Sequence, residues 1–412
     1  MSAKDFTLTK IERILLDVPF HPRCARTMEI QGAGWSLPEL VIVETASGVR
    51  GIGETITGYT WGRSGEAQCQ RVLGRNLFDF LWDDSLGAGL QMALFDAAGK
   101  LLEVPCHRLM APQFREACPV SWWAQTMKPE EWAAEAREAE AHGYTTMKVK
   151  ARPWYDVDRQ LEAVSAATSP HFKLDADFNG LLLGVDLAAP LISRLEQRYP
   201  CLAIVESPIP QEDVAGNALL RRKIRSPIAM HFGSPPIMTA LRQEVCDGFV
   251  IGGGARQVMN EGILAEKAQM PFWLQLVGTG LTTLFAVHLG AVLSQARWPA
   301  IPCTNIYSHP LIKDFRVEGG HLRVPQSPGL GVELDWDAVE RYRVAPDYKK
   351  PTRRQLHTIQ WSDGRQTHYP DGRYRQDFLT GKLTGFLPGI SLDCRIDDGS
   401  GEFDRQYRAL FD

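Results

Sequence analysis

Thr145-Thr146-Met147-Lys148-Val149-Lys150-Ala151 decides the reading of this chain: an apolar run of strand character that carries two lysines one residue apart. Side chains two apart on a strand share a face, so both ammonium groups point into one space. Like charges held together disfavour their charged form, which lowers the pKa of at least one lysine and makes the pair a candidate proton-abstracting device. Taken alone, the pair reads more readily as a strand end with two solvated lysines, given the usual surface preference of lysine. The next two strands shift that balance.

His171-Phe172-Lys173-Leu174-Asp175-Ala176-Asp177-Phe178-Asn179-Gly180 is a second apolar run, ending in acids and a glycine turn. Cys201-Leu202-Ala203-Ile204-Val205-Glu206-Ser207-Pro208 repeats the arrangement, with a proline that ends the strand. Between them Leu187, Leu191, Ile192 and Leu195 have helical spacing. Strands alternating with helices imply a parallel sheet. In a barrel of parallel strands, catalytic groups sit at the C-terminal strand ends. Lys148 and Lys150, Asp175 and Asp177, and Glu206 hold that position on three successive strands, and hard carboxylate oxygens suit Mg²⁺.

On these residues the chain resembles the enolase superfamily, in its mandelate racemase/muconate lactonizing branch, over roughly residues 5 to 345. The family's lysine-x-lysine strand is similar to Lys148-Val149-Lys150, and its acidic metal ligands to Asp175 and Glu206. The resemblance implies a Lys or His base with one or two Mg²⁺ ions holding an ene-diolate. It also implies the fold class: α/β, a modified (β/α)7β TIM-type barrel with an α+β capping domain. The third ligand position falls by spacing on His231, a softer nitrogen donor that also suits Mn²⁺ or another divalent ion. His231 also reads as a contact to substrate or water, or as a space filler. Where the racemases of the branch carry an Asp-His pair, this chain has Gly252 and Gln275, and neither titrates. Two-base racemisation is therefore disfavoured, and Gln275 reads as a hydrogen-bonding group for substrate.

With 412 residues the chain can hold a full barrel and a second unit. Its net charge of −4 gives no basic surface for nucleic acid or anionic membrane. Met1-Ser2-Ala3-Lys4-Asp5-Phe6 lacks the apolar core of a secretory signal, and no run is long enough to span a bilayer, so a cytoplasmic homo-oligomer is expected. Scattered cysteines read as buried free thiols.

Residues 1–116 read as the capping unit, completed by about 308–350, and residues 117–307 as the barrel. Eight strands are expected, near 120–125, 145–151, 171–178, 201–206, 226–232, 247–252, 271–277 and 299–306. Two irregular cap loops, Pro19 to Ser36 and Thr55 to Arg63, are expected to select substrate. They supply His21, Arg23, Trp35 and Tyr59 as contacts, with Arg26 and Arg63 as further carboxylate clamps, while Asp177 and Tyr307 complete the binding set. Gly278-Thr279-Gly280 reads either as a plain turn or as an anion cradle of backbone N–H groups. His288 reads as a packed core residue. Residues 316–332 read as a short hairpin and return segment, and 351–412 as an extension of unknown role with hairpin signals at Ser362-Asp363-Gly364 and Pro370-Asp371-Gly372.

The expected chemistry is abstraction of the proton α to a carboxylate by Lys150, aided by Lys148, with a divalent ion on Asp175, Glu206 and His231. Loss of a β-hydroxyl from an acid sugar is favoured. The alternatives that stay open are a racemase or epimerase of a carboxylic acid, isomerase chemistry with Tyr307 or His309 as second base, and a barrel that binds a sugar acid without turnover.

Overall fold

The computed structural model describes residues 3–57, 59 and 61–411, so Met1, Ser2, Gly58, Thr60 and Asp412, which belong to segments read above, lie outside the described residues. The cap begins with β1 (Leu8–Leu15), α1 (Ala25–Gln31), β2 (Pro38–Thr45), β3 (Arg50–Ile56), α2 (Glu66–Val72) and α3 (Ala88–Leu101). β1, β2 and β3 form an antiparallel sheet in that order. α3 lies against it backbone to backbone: a Cβ on Gly51 would sit 2.1 Å from Ala93 O, and one on Gly53 equally close to Gly89 O. Only glycine permits that approach. The segment expected to be irregular between Pro19 and Ser36 instead holds α1 and a 3-10 turn over Ala33–Ser36. A seven-residue helix burying only Met28 leaves too short a periodicity to read.

The barrel follows as β4 (Ala117–Pro119), β5 (Trp122–Ala124), α4 (Pro129–Ala141), β6 (Thr146–Lys150), α5 (Val157–Ala167), β7 (Lys173–Asp177), α6 (Val185–Arg198), β8 (Leu202–Glu206), α7 (Val214–Arg221), β9 (Ile228–His231), α8 (Ile237–Gln243), β10 (Gly248–Ile251), α9 (Ala255–Lys267), β11 (Phe272–Leu274) and α10 (Gly280–Val292). β5 to β11 form one curled parallel sheet in sequence order. The eighth strand expected over 299–306 is absent as a strand among the described residues. Residues 300–302 nevertheless run between β11 and the segment that leads into β5: Ala300 N–H donates to Pro119 O at 2.9 Å and Ala300 O accepts from Ser121 N–H at 2.9 Å, while Ile301 N–H donates to Leu274 O at 2.8 Å and Pro302 O accepts from Gly278 N–H at 3.0 Å. Pro299 and Pro302 have no N–H to give, so a regular ladder cannot form there.

β12 (His321–Arg323) pairs with β4, Leu322 opposite Cys118, and α11 (Trp336–Tyr342) follows. The segment read as a local hairpin is thus mainly a return to the barrel's own entry strand. Beyond it, β13 (Gln355–Gln360), β14 (Gln366–Tyr369), α12 (Tyr374–Leu379), β15 (Ser391–Ile396) and α13 (Gly401–Arg408) build a small unit around an antiparallel sheet with β13 central. Ser362-Asp363-Gly364 does turn β13 into β14, whereas Pro370-Asp371-Gly372 leads into α12. Ile359, Tyr374, Phe378 and Leu392 share an apolar cluster with Trp154, Tyr155 and Leu181 of the barrel. Arg26 on α1 reaches Asp393 at 3.1 Å, and Arg353 reaches Glu29 at 3.0 Å, so the extension grips cap and barrel of the same chain. Among the described residues no helix is long and apolar enough to cross a membrane, and all eight cysteines are buried and free.

Candidate active site at the strand ends

Strand register brings the lysines and acids together. Lys148 lies opposite Asp175, and Lys150 opposite Asp177. Asp177 in turn faces Glu206, because β8 carries a bulge between its pairings Leu174↔Leu202 and Asp175↔Ile204. Without the extra residue, Val205 would stand in that row. Side chains alternate along a strand, so a slip of one would turn Glu206 away from the barrel axis. Ala229 pairs with Glu206, and the same alternation puts His231 on the inward face.

The fully buried Lys148 ammonium is ion-paired with Glu206, lies 3.6 Å from Asp177, donates to Gln275 Oε1 at 2.8 Å and sits 5.4 Å from the Trp273 ring centre. Burial works against its charge, but Glu206, Asp177 and Asp175 outweigh burial and raise its pKa. The mutual lowering expected of two adjacent lysines is thus overturned for Lys148, because carboxylates interleave with the amines. Lys150 is ion-paired with Asp177. Burial opposes the Asp177 charge, but Lys150, Lys148 and Arg152 hold its carboxyl well below the usual range.

Two residues to which the sequence reading gave no role, Asn179 and Arg152, complete this side. Asn179 and Gly180 both have left-handed backbone, φ 48° and 76°, and end β7 in a turn that returns the Asn179 amide to the site. Asn179 Oδ1 lies 3.4 Å from Lys150 Nζ and accepts from Arg152 Nη2 at 2.5 Å. An Asn-Gly pair just beyond a strand of acids was the available signal.

Asp175 is different. Both its oxygens are buried without a hydrogen-bond partner among the described residues, and burial, then the Glu206 charge, raises its pKa well above the usual range. An orphaned buried carboxylate calls for a cation. His231 Nε2 is 3.4 Å from Glu206 Oε1, comparable to the roughly 3 Å between neighbouring ligand atoms around a small octahedral ion. The donor set of two carboxylates and an imidazole therefore fits a divalent ion. The described residues do not preassemble three such groups into a cage, since Lys148 occupies Glu206.

The opposite wall carries no titrating side chain at the matching positions. A Cβ on Gly252 would lie 2.9 Å from Gln275 O, so backbone fills that place. Gln275 itself is clamped, accepting from Lys148 and donating from Nε2 to Tyr59 OH at 3.1 Å. Tyr59 stacks near Trp35, with centroids 4.5 Å apart, and Trp35 near Trp123 at 5.6 Å. Burial pushes the Tyr59 hydroxyl up to about 12. Tyr307 OH donates to Trp35 O at 2.9 Å and is also raised by burial, so it buttresses the aromatic roof. His309 pairs with Asp335 instead.

The expected arginine clamp is not there. Arg23 is bound to Glu135 of α4 at 2.8 Å, Arg63 to Glu39, and Arg26 to the extension. Each guanidinium has found a carboxylate, which removes it from duty on a ligand. His21 and Arg23 line a separate cavity of 700 Å³ with Trp122, Glu138 and His142, which includes none of the strand-end lysines or acids. The Gly278-Thr279-Gly280 turn does hold an anion, but an internal one: Glu54 of β3 accepts from Thr279 N–H at 2.7 Å and Thr282 Oγ1 at 2.6 Å, and also from the Thr279 hydroxyl. His288 is fully buried against His107, at 3.4 Å.

Residues 131–338 match the profile of the family described as "Enolase C-terminal domain-like". The chain is 25% identical over 386 residues to muconate cycloisomerase 1-2 of Acinetobacter lwoffii, spanning 83% of this chain and 97% of that one. It is also 25% identical over 362 residues to D-xylonate dehydratase of Haloferax volcanii, spanning 74% and 85%. Among solved structures, muconate cycloisomerase from Pseudomonas fluorescens superposes with a TM-score of 0.66 at 21% identity, over 82% of this chain and 99% of that one.

Proposed function

This chain belongs to the enolase C-terminal domain-like family, and from that premise we propose that it is a divalent-metal-dependent dehydratase of an acid sugar. The observation that carries the reading is one-sidedness: the proton-transfer groups lie on the Lys148/Lys150 side, and Gly252 and Gln275 put none opposite. Asp175, Glu206 and His231 would hold the ion, Mg²⁺ or Mn²⁺, and its charge would supply electrostatic stabilisation to the substrate carboxylate as negative charge builds there.

The chain's own residues do the rest. The Lys150 ammonium, ion-paired with Asp177 at rest, first gives its proton to solvent. The free amine then takes the α-proton, and the C–H electron pair moves into the carboxylate to give an enediolate. Asp177 stabilises the ammonium as it forms. That ammonium returns its proton to the departing β-hydroxyl, the C–O bond breaks, and water and an enol leave, the enol tautomerising to a 2-keto acid. Acid and base are one group, so no second base is needed. Lys148 holds Glu206 and Gln275 in place, and the rings of Trp35, Tyr59 and Trp123 exclude water. One named relative is a sugar-acid dehydratase.

Metal-loaded protein incubated in D₂O with a library of aldonic and aldaric acids is expected to exchange the α-hydrogen and release water from at least one. Lys150→Ala should lower both by 10³-fold or more, roughly the upper range of general-base effects. Exchange that persists in the variant would sink the assignment. A barrel that binds a sugar acid without turnover is the second reading, favoured by the resting Lys150–Asp177 ion pair, and the same assay returns no exchange if it holds.

A further inference from the structure

β15 of the C-terminal extension is moored to the barrel and reaches out to the cap. Tyr155, in the loop that follows Lys150 and β6, donates its hydroxyl to Leu392 O at 3.0 Å. Beside it Asp156 N–H donates to Ile390 O at 3.0 Å, and the Asp156 carboxylate accepts from Gly389 N–H at 2.7 Å. One residue past Leu392, Asp393 points to the other face of the strand. Its Oδ1 accepts from two cations in different parts of the chain: Arg26 of α1 at 3.1 Å and Lys128, at the N-cap of α4, at 3.2 Å. Arg26 also donates to Cys394 O at 2.5 Å, Arg353 pairs with Glu29 at 3.0 Å, and Ile30 packs against the extension's apolar cluster.

α1 has little else to place it. It is seven residues long, has no side-chain cap and buries only Met28, and so short a helix is marginal without tertiary contacts. Ahead of it Arg23 holds Glu135; behind it the chain runs to Trp35. Trp35 meets Trp123, five residues before Lys128, and Tyr59, whose hydroxyl accepts from the Gln275 amide that also binds Lys148. Asp393 thus ties together the two segments, 26–35 and 123–128, whose rings meet in the roof of the site. It lies beyond residue 338, where the family match ends.

We propose that Asp393 is a positioning residue for substrate binding: through Arg26 and Lys128 it holds the Trp35–Trp123 roof in its binding-competent arrangement before the acid arrives. The inference rests on the active-site reading above and leaves open which acid is taken. A roof already in place has no ordering cost to meet on binding, whereas a roof in place only part of the time weakens apparent affinity by that fraction. Once substrate is bound the reacting groups are the same in either case, so the effect falls on KM and spares kcat.

The test compares full-length, metal-loaded Asp393→Asn and Arg26→Gln with the wild type on the aldonic or aldaric acid that it turns over, with hydrogen exchange of residues 25–37 followed in parallel. The Arg26 side chain is 57% exposed and its loss breaks the same contact from the cap side, so it serves if Asp393→Asn fails to fold. KM is expected to rise about fivefold, near the ceiling for an exposed ion pair, with kcat within about twofold of wild type and faster exchange over 25–37. A KM or an exchange rate that stays at the wild-type value in a folded variant overturns the assignment. So does a rise in KM matched by an equal loss of kcat, the mark of general damage to the site. If no acid is turned over, the dehydratase reading fails on its own, and calorimetric binding of the same acids decides. Weaker binding by the variants supports the positioning role, and equal binding, or none by the wild type, refutes it.

Discussion

Lys148 is buried among three carboxylates, and its value to the protein is that it neutralises them. Lys148→Met keeps the apolar stem but leaves Glu206, Asp177 and Asp175 facing one another. Removing one partner of a buried ion pair costs about 3–5 kcal/mol, because the charge left behind has no water. Urea unfolding in EDTA is expected to show a loss of that order, partly recovered by added Mg²⁺. An unchanged midpoint would mean that the ammonium carries no such burden. The sequence placed Lys148 beside Lys150, and charge repulsion looked like the ruling term; the acids that reverse its sign arrive from the neighbouring strands β7 and β8.

At the scale of elements, the cap is locked to the barrel where β3 meets the N-terminus of α10. Glu54 is fully buried, and its carboxylate takes backbone and hydroxyl donors from Thr279 and Thr282. Glu54→Gln turns one acceptor oxygen into an amide nitrogen that confronts those donors, at a cost of about 1–3 kcal/mol. Chemical denaturation should register that loss, and hydrogen exchange of the Thr279 and Thr282 amides should quicken; unaltered protection would show that the contact is not a lock. The glycine turn advertised an anion cradle, but its occupant lies 225 residues away in sequence, and only the docking of cap on barrel delivers it.

For the whole molecule, acid stability follows from two imidazoles in different regions. His288 in α10 and His357 in β13 are both lowered to about 4 by burial. An unfolded histidine titrates near 6.5, so each folded value lies below its unfolded one. The contribution of these two imidazoles is then complete above about pH 6.5 and is lost as the pH drops towards 4, since the unfolded chain takes up protons that the folded imidazoles refuse; Asp175, whose carboxyl pKa is raised by burial, acts in the opposite sense. Each site should cost about 2 kcal/mol between pH 7 and pH 5. Carboxylates held low, such as Asp177, add their own losses only below about pH 4. Urea midpoints at pH 7 and 5 test the slope, and His357→Asn should flatten it; an identical slope in the variant would exclude His357 as a source.

The sequence by itself determined the alternation of strand and helix, the inward face of β6 and β7, and hence the meeting of Lys148, Lys150, Asp175 and Asp177. Those follow from a two-residue period, which is local. Only the tertiary structure decided that a bulge turns Glu206 inward, that Pro299 and Pro302 reduce the eighth strand to a bridge, and that Arg23, Arg26 and Arg63 are taken by Glu135, Asp393 and Glu39. Those partners stand 112, 367 and 24 residues away. Which charges neutralise one another depends on how distant segments pack, and no local period encodes that.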